Sequence, residues 1–263
     1  MTGTDRSKRQ LLHTTVFAQC FSPCGKYLVA ANNYGQIAVY SIVAALSPNA
    51  DEETRKPIYS FDGSKGSMDL AVTETDTGTE LLAGCGDNNV HIWDIESGNL
   101  TSTLSGHKDY IHCLCTKNAG RECVTASEDG TVRIWDCRQG GEAVQILDPS
   151  SHEATARPSL GKWVACVTCD VNEDWLVCGG APHLSAWHLR SLSPMTTYNS
   201  PGATHNFAMY HEDLVPCSAT SVFSVAINSK SECNKVLSVA GSSSKIDICT
   251  NFGYKAFSLV FDV

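Results

Sequence analysis

No stretch of this 263-residue chain approaches the roughly 18 consecutive apolar residues of a membrane-spanning helix. Nothing in it resembles a run of lysine and arginine. Its 19 basic side chains face 28 acidic ones, for a formal charge of −9 and a pI of about 5.4. That balance argues against a protein drawn to nucleic acid by its own field. The opening MTGTDRSKRQ lacks the apolar core of a secretory signal. No nucleophile elbow, phosphate loop or clustered metal-ligand motif is present. These absences leave no membrane partner, no small-molecule substrate and no cofactor to expect.

Cysteine is the reactive residue that is plentiful, with 13 in all. The spacing that would give them chemistry is lacking. Cys166 and Cys169 form a C-x-x-C pair, but a zinc site needs a second pair and a redox site a βαβ context. Cys113, Cys115, Cys123, Cys166, Cys169 and Cys178 fall inside strand-like runs, where free cysteine behaves as a small hydrophobe. The expectation is a reduced intracellular protein without a metal site.

What is present is organised around Gly106 to Asp136, GHKDYIHCLCTKNAGRECVTASEDGTVRIWD. Residues 110–116 alternate with the period of a strand. Asn118-Ala119-Gly120 reads as a turn, and residues 123–127 as a second strand. Asp129-Gly130 reads as a hairpin, because glycine accepts positive φ. Residues 131–135 form a third strand, with Arg133 and Trp135 on one face. A Gly-His opening and a Trp-Asp closing such a pattern mark one four-stranded blade of a β-propeller, a repeat of about 40–45 residues. His107, Thr125, Asp129 and Trp135 fall where their side chains can hydrogen-bond in series. A buried polar group left without a partner costs about 1–3 kcal/mol, so the series is expected to be fully satisfied. It would hold the blade together, and no catalysis is expected of it.

The other segments can be compared with this blade. Thr14 to Tyr40 is a similar unit, with a turn at Ser22-Pro23-Cys24-Gly25 and Tyr34 in the place of Asp129. Ile42 to Arg55 reads as a solvated loop with a helical turn. Met68 to Trp93 repeats the pattern without a Gly-His and with Ala83 in the place of Thr125. Gly161 to Arg190 and Ser221 to Thr250 follow. The residues at the Trp135 position, Tyr40, Trp93, Trp135, Trp187 and Cys249, are spaced by 53, 42, 52 and 62 residues. This uneven spacing predicts five intact blades and two remnants, with incomplete blades near 57–70 and 204–222. Residues 1–11 read as disordered and 12–263 as a single all-β propeller domain. A strand near the N-terminus is expected to complete the last blade, since closure removes sheet edges. The blades that lack the four-residue series are expected to rely on apolar packing and on their neighbours.

The stretches SPCGKYLVAANNYGQIAVYS, GHKDYIHCL, GKWVACVTCDVNEDWLVCGG, AWHLR and NFGYKAFSL resemble the THO complex subunit 6 family of WD-repeat proteins. The likeness runs over nearly the whole chain. It implies a seven-bladed WD-repeat β-propeller, of which this chain is a shortened form. It further implies a non-catalytic scaffold in the nucleus, bound to other THO complex (TREX) subunits in mRNA processing, splicing and export, with RNA contacted only indirectly. An alternative follows from Trp135-Asp136-Cys137-Arg138, a W-D-x-R pattern of substrate receptors for cullin-RING ubiquitin ligases. Asp136 and Arg138 would then meet a ligase adaptor. The charge yields one prediction: titrating the purified chain with single-stranded RNA at physiological salt should show no tight binding in fluorescence anisotropy. Tight binding would overturn the indirect role.

Overall fold

The computed structural model describes residues 14–62, 67–75, 78–156, 161–169, 174–180, 183–199, 222–228, 236–241, 244–250 and 254–260. Among them, twenty strands form five antiparallel sheets of four. The first sheet is β1 (Val16–Phe21), β2 (Tyr27–Asn32), β3 (Gln36–Ser41) and β4 (Tyr59–Asp62), in that order. A one-turn helix, α1 (Ile42–Ala45), follows β3. The second sheet is β5 (Ser67–Thr75), β6 (Gly78–Cys85), β7 (Asn89–Asp94) and β8 (Leu100–Ser105). The third is β9 (Ile111–Lys117), β10 (Glu122–Ser127), β11 (Val132–Asp136) and β12 (Gln145–Leu147). The fourth is β13 (Cys166–Cys169), β14 (Trp175–Gly180), β15 (His183–His188) and β16 (Ser193–Asn199). The fifth is β17 (Val222–Asn228), β18 (Val236–Gly241), β19 (Lys245–Thr250) and β20 (Tyr254–Val260). Each sheet pairs strands in sequence order, as consecutive hairpins of a propeller blade do.

The chain divides into two compact units. The first is Met1–Val72, Ile95–Gly98 and His211–Val263, and it contains the first and fifth sheets. Here Val16, Leu28 and Tyr40 share one buried cluster with Val236, Ile246, Ile248 and Leu259. Two hydrogen bonds fix the register of this contact. Gln19 Nε2 donates to the Ser238 carbonyl at 3.0 Å, and Asn228 Nδ2 donates to the Gly25 carbonyl at 2.6 Å. Gly25 has φ +73°, and a Cβ there would lie 2.4 Å from Asn228 Oδ1. The turn therefore needs glycine for both its backbone angle and its clearance.

Two expectations change in this unit. The fifth sheet takes all four strands from residues 222–260. Among the described residues no N-terminal strand completes it, because β20 already occupies the outer edge of β19. The segment after β3 forms the expected helical turn and is exposed at 47–49 and 51–54, but its first turn is anchored and not solvated. Ser41 Oγ caps α1 by accepting the Ala44 N–H, and Ile42 and Ala45 are buried in the shared cluster. Farther on, the Arg55 guanidinium lies 4.8 Å from the centre of the Phe257 ring, a cation–π contact. Finally, β4 pairs fully with β3 and β5 opens the second sheet. Residues 63–66, between these two strands, lie outside the described residues. Residues 1–11, and all of 204–222 except Val222, lie outside the described residues.

The second unit is Thr73–Asp94 and Asn99–Tyr210. One buried cluster joins Val124, Ile134 and Leu147 of the third sheet to Val167, Leu176 and Trp187 of the fourth. Gly84 of β6 lets β9 approach closely, since a Cβ there would lie 2.7 Å from Ile111 Cγ2. Simple alternation fails in β9. Ile111 and Leu114, three residues apart, are both buried, because the register with β10 shifts between Ala126 and Ser127. A bulge of this kind re-aims the side chains before it. The Gly25 geometry predicts that Gly25→Ala destabilises the chain by at least about 1–2 kcal/mol, read as a lowered urea midpoint with an unchanged m-value.

Candidate functional site

The third sheet brings together the four residues picked out by sequence. Each comes from a different part of the blade. His107 precedes β9, Thr125 lies in β10, Asp129 sits in the next hairpin and Trp135 lies in β11. Gly130, with φ +88°, closes that hairpin by donating its N–H to the Ser127 carbonyl at 3.1 Å. Trp135 Nε1 donates to Thr125 Oγ1 at 2.8 Å, Thr125 Oγ1 meets His107 Nε2 at 2.7 Å, and His107 Nδ1 meets Asp129 Oδ2 at 2.8 Å. Indole can only donate and carboxylate can only accept. The proton order therefore runs from both ends. With a neutral His107 ring, Trp135 donates to Thr125, Thr125 donates to His107 Nε2, and the Nδ1–H of His107 donates to Asp129.

The carboxylate is saturated. Besides His107 it accepts the N–H of Lys108 at 3.0 Å, and the N–H and hydroxyl of Thr131 at 2.9 and 2.7 Å. Burial works against its charge, but the hydrogen bonds from His107, Lys108 and Thr131 outweigh it and hold the Asp129 carboxyl well below the usual carboxylate range. Thr125, His107 and Asp129 have the spacing of a hydroxyl–imidazole–carboxylate triad. Thr125 is nevertheless 0% exposed and its oxygen already holds the indole N–H. A substrate carbonyl has no path to that oxygen, so the geometry locks a blade and does not present a nucleophile. Arg133, which sequence reasoning did not count, caps the series. Its guanidinium lies 5.9 Å from the Trp135 ring centre and 3.9 Å from Asp129 Oδ2. Its place two residues before Trp135, on the same face, was the available signal.

The position two residues before the anchor recurs in the other sheets. In the second, His91 Nε2 pairs with Asp87 Oδ2 at 2.9 Å and its Nδ1 with Thr103 Oγ1 at 3.2 Å. In the fourth, Trp187 Nε1 donates to Ser185 Oγ at 2.8 Å, and Ser185 donates to the Cys178 carbonyl at 3.2 Å. His152, from the loop after β12, sets its ring edge-on to Trp187 at 5.0 Å. In the fifth, buried Asp247 accepts from Lys255 Nζ at 2.7 Å and Ser258 Oγ at 2.6 Å. These sheets have polar locks of their own, which corrects the expectation that they rely on apolar packing and on their neighbours. The first sheet has Ala38 at this position, and its hairpin is tied by Asn32 Oδ1, which accepts the N–H groups of Tyr34 and Gln36.

Asp136 and Arg138 are paired with each other. Arg138 Nε and Nη2 donate to the two oxygens of Asp136 at 2.9 and 2.7 Å. Hydrogen bonding to Arg138 brings the Asp136 carboxyl down to about 2. The Arg138 side chain is 61% exposed. Cys166 and Cys169 do not meet: Cys166 Sγ bonds the Gly179 carbonyl and Cys169 Sγ lies against Cys115. Among the described residues, one group of metal-ligand type gathers, with the donor atoms of Cys85, Asp87 and His91 within 4.8 Å of one another. The Asp87–His91 hydrogen bond accounts for it as a hairpin lock.

Comparison with known proteins agrees with this architecture. The family of the WD domain, G-beta repeat, matches residues 55–94 and 98–136, and the second match includes the blade just described. A zebrafish (Danio rerio) protein, THO complex subunit 6 homolog, is 38% identical over 323 aligned positions, covering 96% of this chain and 99% of the relative. Human THO complex subunit 6 is 36% identical over 328 positions, covering 96% and 94%. The Arabidopsis thaliana protein of that name is 28% identical over 195 positions, covering 66% and 50%. With 323 aligned positions against 263 residues, at least 60 positions of the zebrafish relative face internal gaps in this chain. The names of these relatives lend no support to the ligase-receptor alternative.

The lock predicts specific losses. Trp135→Ala should destabilise by about 3–5 kcal/mol through the cavity it leaves. Thr125→Val should cost about 1–3 kcal/mol by stranding the indole N–H and the imidazole nitrogen; urea denaturation measures both. The Asp129 carboxyl has a lowered native pKa, so its contribution is complete above the unfolded value of about 3.9 and is lost as pH falls below it. The Asp129→Asn variant should show a flatter loss of stability on acidification than the parent chain.

Proposed function

We propose, since the chain belongs to the THO complex subunit 6 family of WD-repeat proteins, that it works as a scaffold subunit of a THO complex. The observation that carries this reading is the near end-to-end match to relatives of that name at 36–38% identity. The role follows from the complex: contacts with other THO subunits in the nucleus, in mRNA processing and export. The blade locks support a non-catalytic part. Their histidine and carboxylate groups are spent on holding sheets together, and the hydroxyl that would be the nucleophile is sealed. Antiparallel sheets locked this way provide rigid surfaces, and rigidity lowers the ordering cost of association. Exposed apolar side chains lie on the outer strands, among them Leu100, Ile146 and Met195, a property suited to protein contacts. A net charge of −9 fits an indirect link to RNA.

We further infer that this is a shortened member of the family, lacking internal segments that its relatives have. Repeats of this kind contact mainly their neighbours, so the loss of a segment between blades leaves the others able to form. The deciding experiment is co-purification of this chain with the other THO subunits, beside a version extended to the relatives' length. Capture of both supports a scaffold role that survives the shortening. Capture of the longer form alone places the binding surface in the missing segments, and capture of neither overturns the assignment.

A further inference from the structure

The C-x-x-C pair of the sequence is separated by its strand. Residues three apart in an extended strand point to opposite faces. β13 accordingly turns Cys166 toward the Gly179 carbonyl, with Sγ at 3.4 Å, and turns Cys169 toward the third sheet. There the S–H of Cys115, on β9, donates to Cys169 Sγ at 3.8 Å. Next to it the S–H of Cys113 donates to the Val167 carbonyl at 3.5 Å, across the same sequence offset of 54 residues. The innermost strands of two neighbouring sheets thus run side by side and hold the two thiols together. Both cysteines are half-buried, and every described cysteine is free of a disulfide. Cys123 and Cys137 are also hydrogen-bonded to each other, but both are buried.

We propose that Cys115 and Cys169 are an oxidation site, forming an intramolecular disulfide with a hydroperoxide and stapling the third sheet to the fourth. The attacking sulfur is Cys169, because it accepts the hydrogen bond that stabilises a thiolate. The hydrogen bond to Cys169, together with burial, pushes the Cys115 thiol up, which keeps it protonated as the resolving partner. In the first step the Cys169 thiolate attacks one oxygen of hydrogen peroxide. An S–O bond forms and the O–O bond breaks. The departing hydroxide takes up the proton that Cys169 had released and leaves as water. In the second step Cys115 sulfur attacks the Cys169 sulfenic acid. The S–S bond forms, the S–O bond breaks, and the hydroxyl leaves with the proton of Cys115 as a second water. Two thiols lose two electrons in all, and one peroxide gains them. Closing from 3.8 Å to the disulfide length of about 2.05 Å is a displacement of side-chain size. The bond would close a long loop between the two sheets and so constrain the unfolded chain.

The test treats the purified full chain with hydrogen peroxide and maps its peptides without reduction. A Cys115–Cys169 cross-linked peptide is expected, with two fewer titratable thiols per chain and a Tm several degrees higher, all reversed by dithiothreitol. Cys166→Ser should leave the cross-link in place, whereas Cys169→Ser and Cys115→Ala should each abolish it together with the Tm shift. The peptide map of the unmutated chain decides the matter even if a variant fails to fold. A cross-link between Cys166 and Cys169, one between Cys123 and Cys137, or sulfinic acid at Cys169 without a cross-link would overturn the proposal.

Discussion

The hydroxyl of Thr125 sits between two ring nitrogens, and the third sheet depends on that placement. It accepts the indole N–H of Trp135 and gives its own proton to His107, which in turn reaches Asp129. Thr125, His107 and Trp135 are buried, so an unmade bond among them would carry the cost of a stranded polar group. The consequences spread outward from there. Trp135 is fixed against β10, Asp129 fixes the hairpin before β11, and His107 ties the incoming chain to both. With the sheet's own interior locked, its face is free to pack on the fourth sheet through Val124, Ile134 and Leu147.

Three of the other sheets meet the same requirement with different chemistry. Each third strand carries a large or well-buried anchor, and what matters next is the residue two places before it. His91, Arg133, Ser185 and Asp247 share that place, and each is drawn into a polar contact by the antiparallel register. The partner comes from wherever geometry puts a donor or acceptor: a hairpin aspartate for His91, an indole for Ser185, a lysine on the next strand for Asp247. The requirement is a satisfied buried group, and the identity of the satisfier is free to vary. The Asp136–Arg138 pair shows the opposite case. It forms a good bidentate contact at an exposed place, where such pairs contribute little to stability.

These features bear on the proposed role. A scaffold needs surfaces whose geometry does not change when a partner arrives, and interior locks supply that. The contact of the first and fifth sheets adds to it. Residues more than 200 positions apart meet there through Gln19, Ser238, Gly25 and Asn228, without sharing a strand among the described residues. The helix after β3 and the Arg55–Phe257 contact reinforce the same union.

The hairpins, the third-strand anchors and the members of the Thr125 series were legible in the chain alone. Those depend on short-range rules: period-2 alternation, glycine at positive φ, and the fixed spacing of a Gly-His and a Trp-Asp around two hairpins. The anchors Tyr40, Trp93, Trp135, Trp187 and Cys249 could be read for the same reason, since each falls at one register position of a local ribbon. What only the tertiary structure decided involves partners far apart in the chain. The second histidine lock was hidden because His91 enters from the third strand and not from a preceding Gly-His. The burial of Ile42 and Ala45 depends on side chains of the fifth sheet, about 200 residues away. The meeting of Cys169 with Cys115 depends on how two sheets lie against each other, which no spacing within either strand encodes. Local geometry can be read from the chain because backbone sterics act over a few residues, whereas the packing of one sheet on the next is settled only when both have formed.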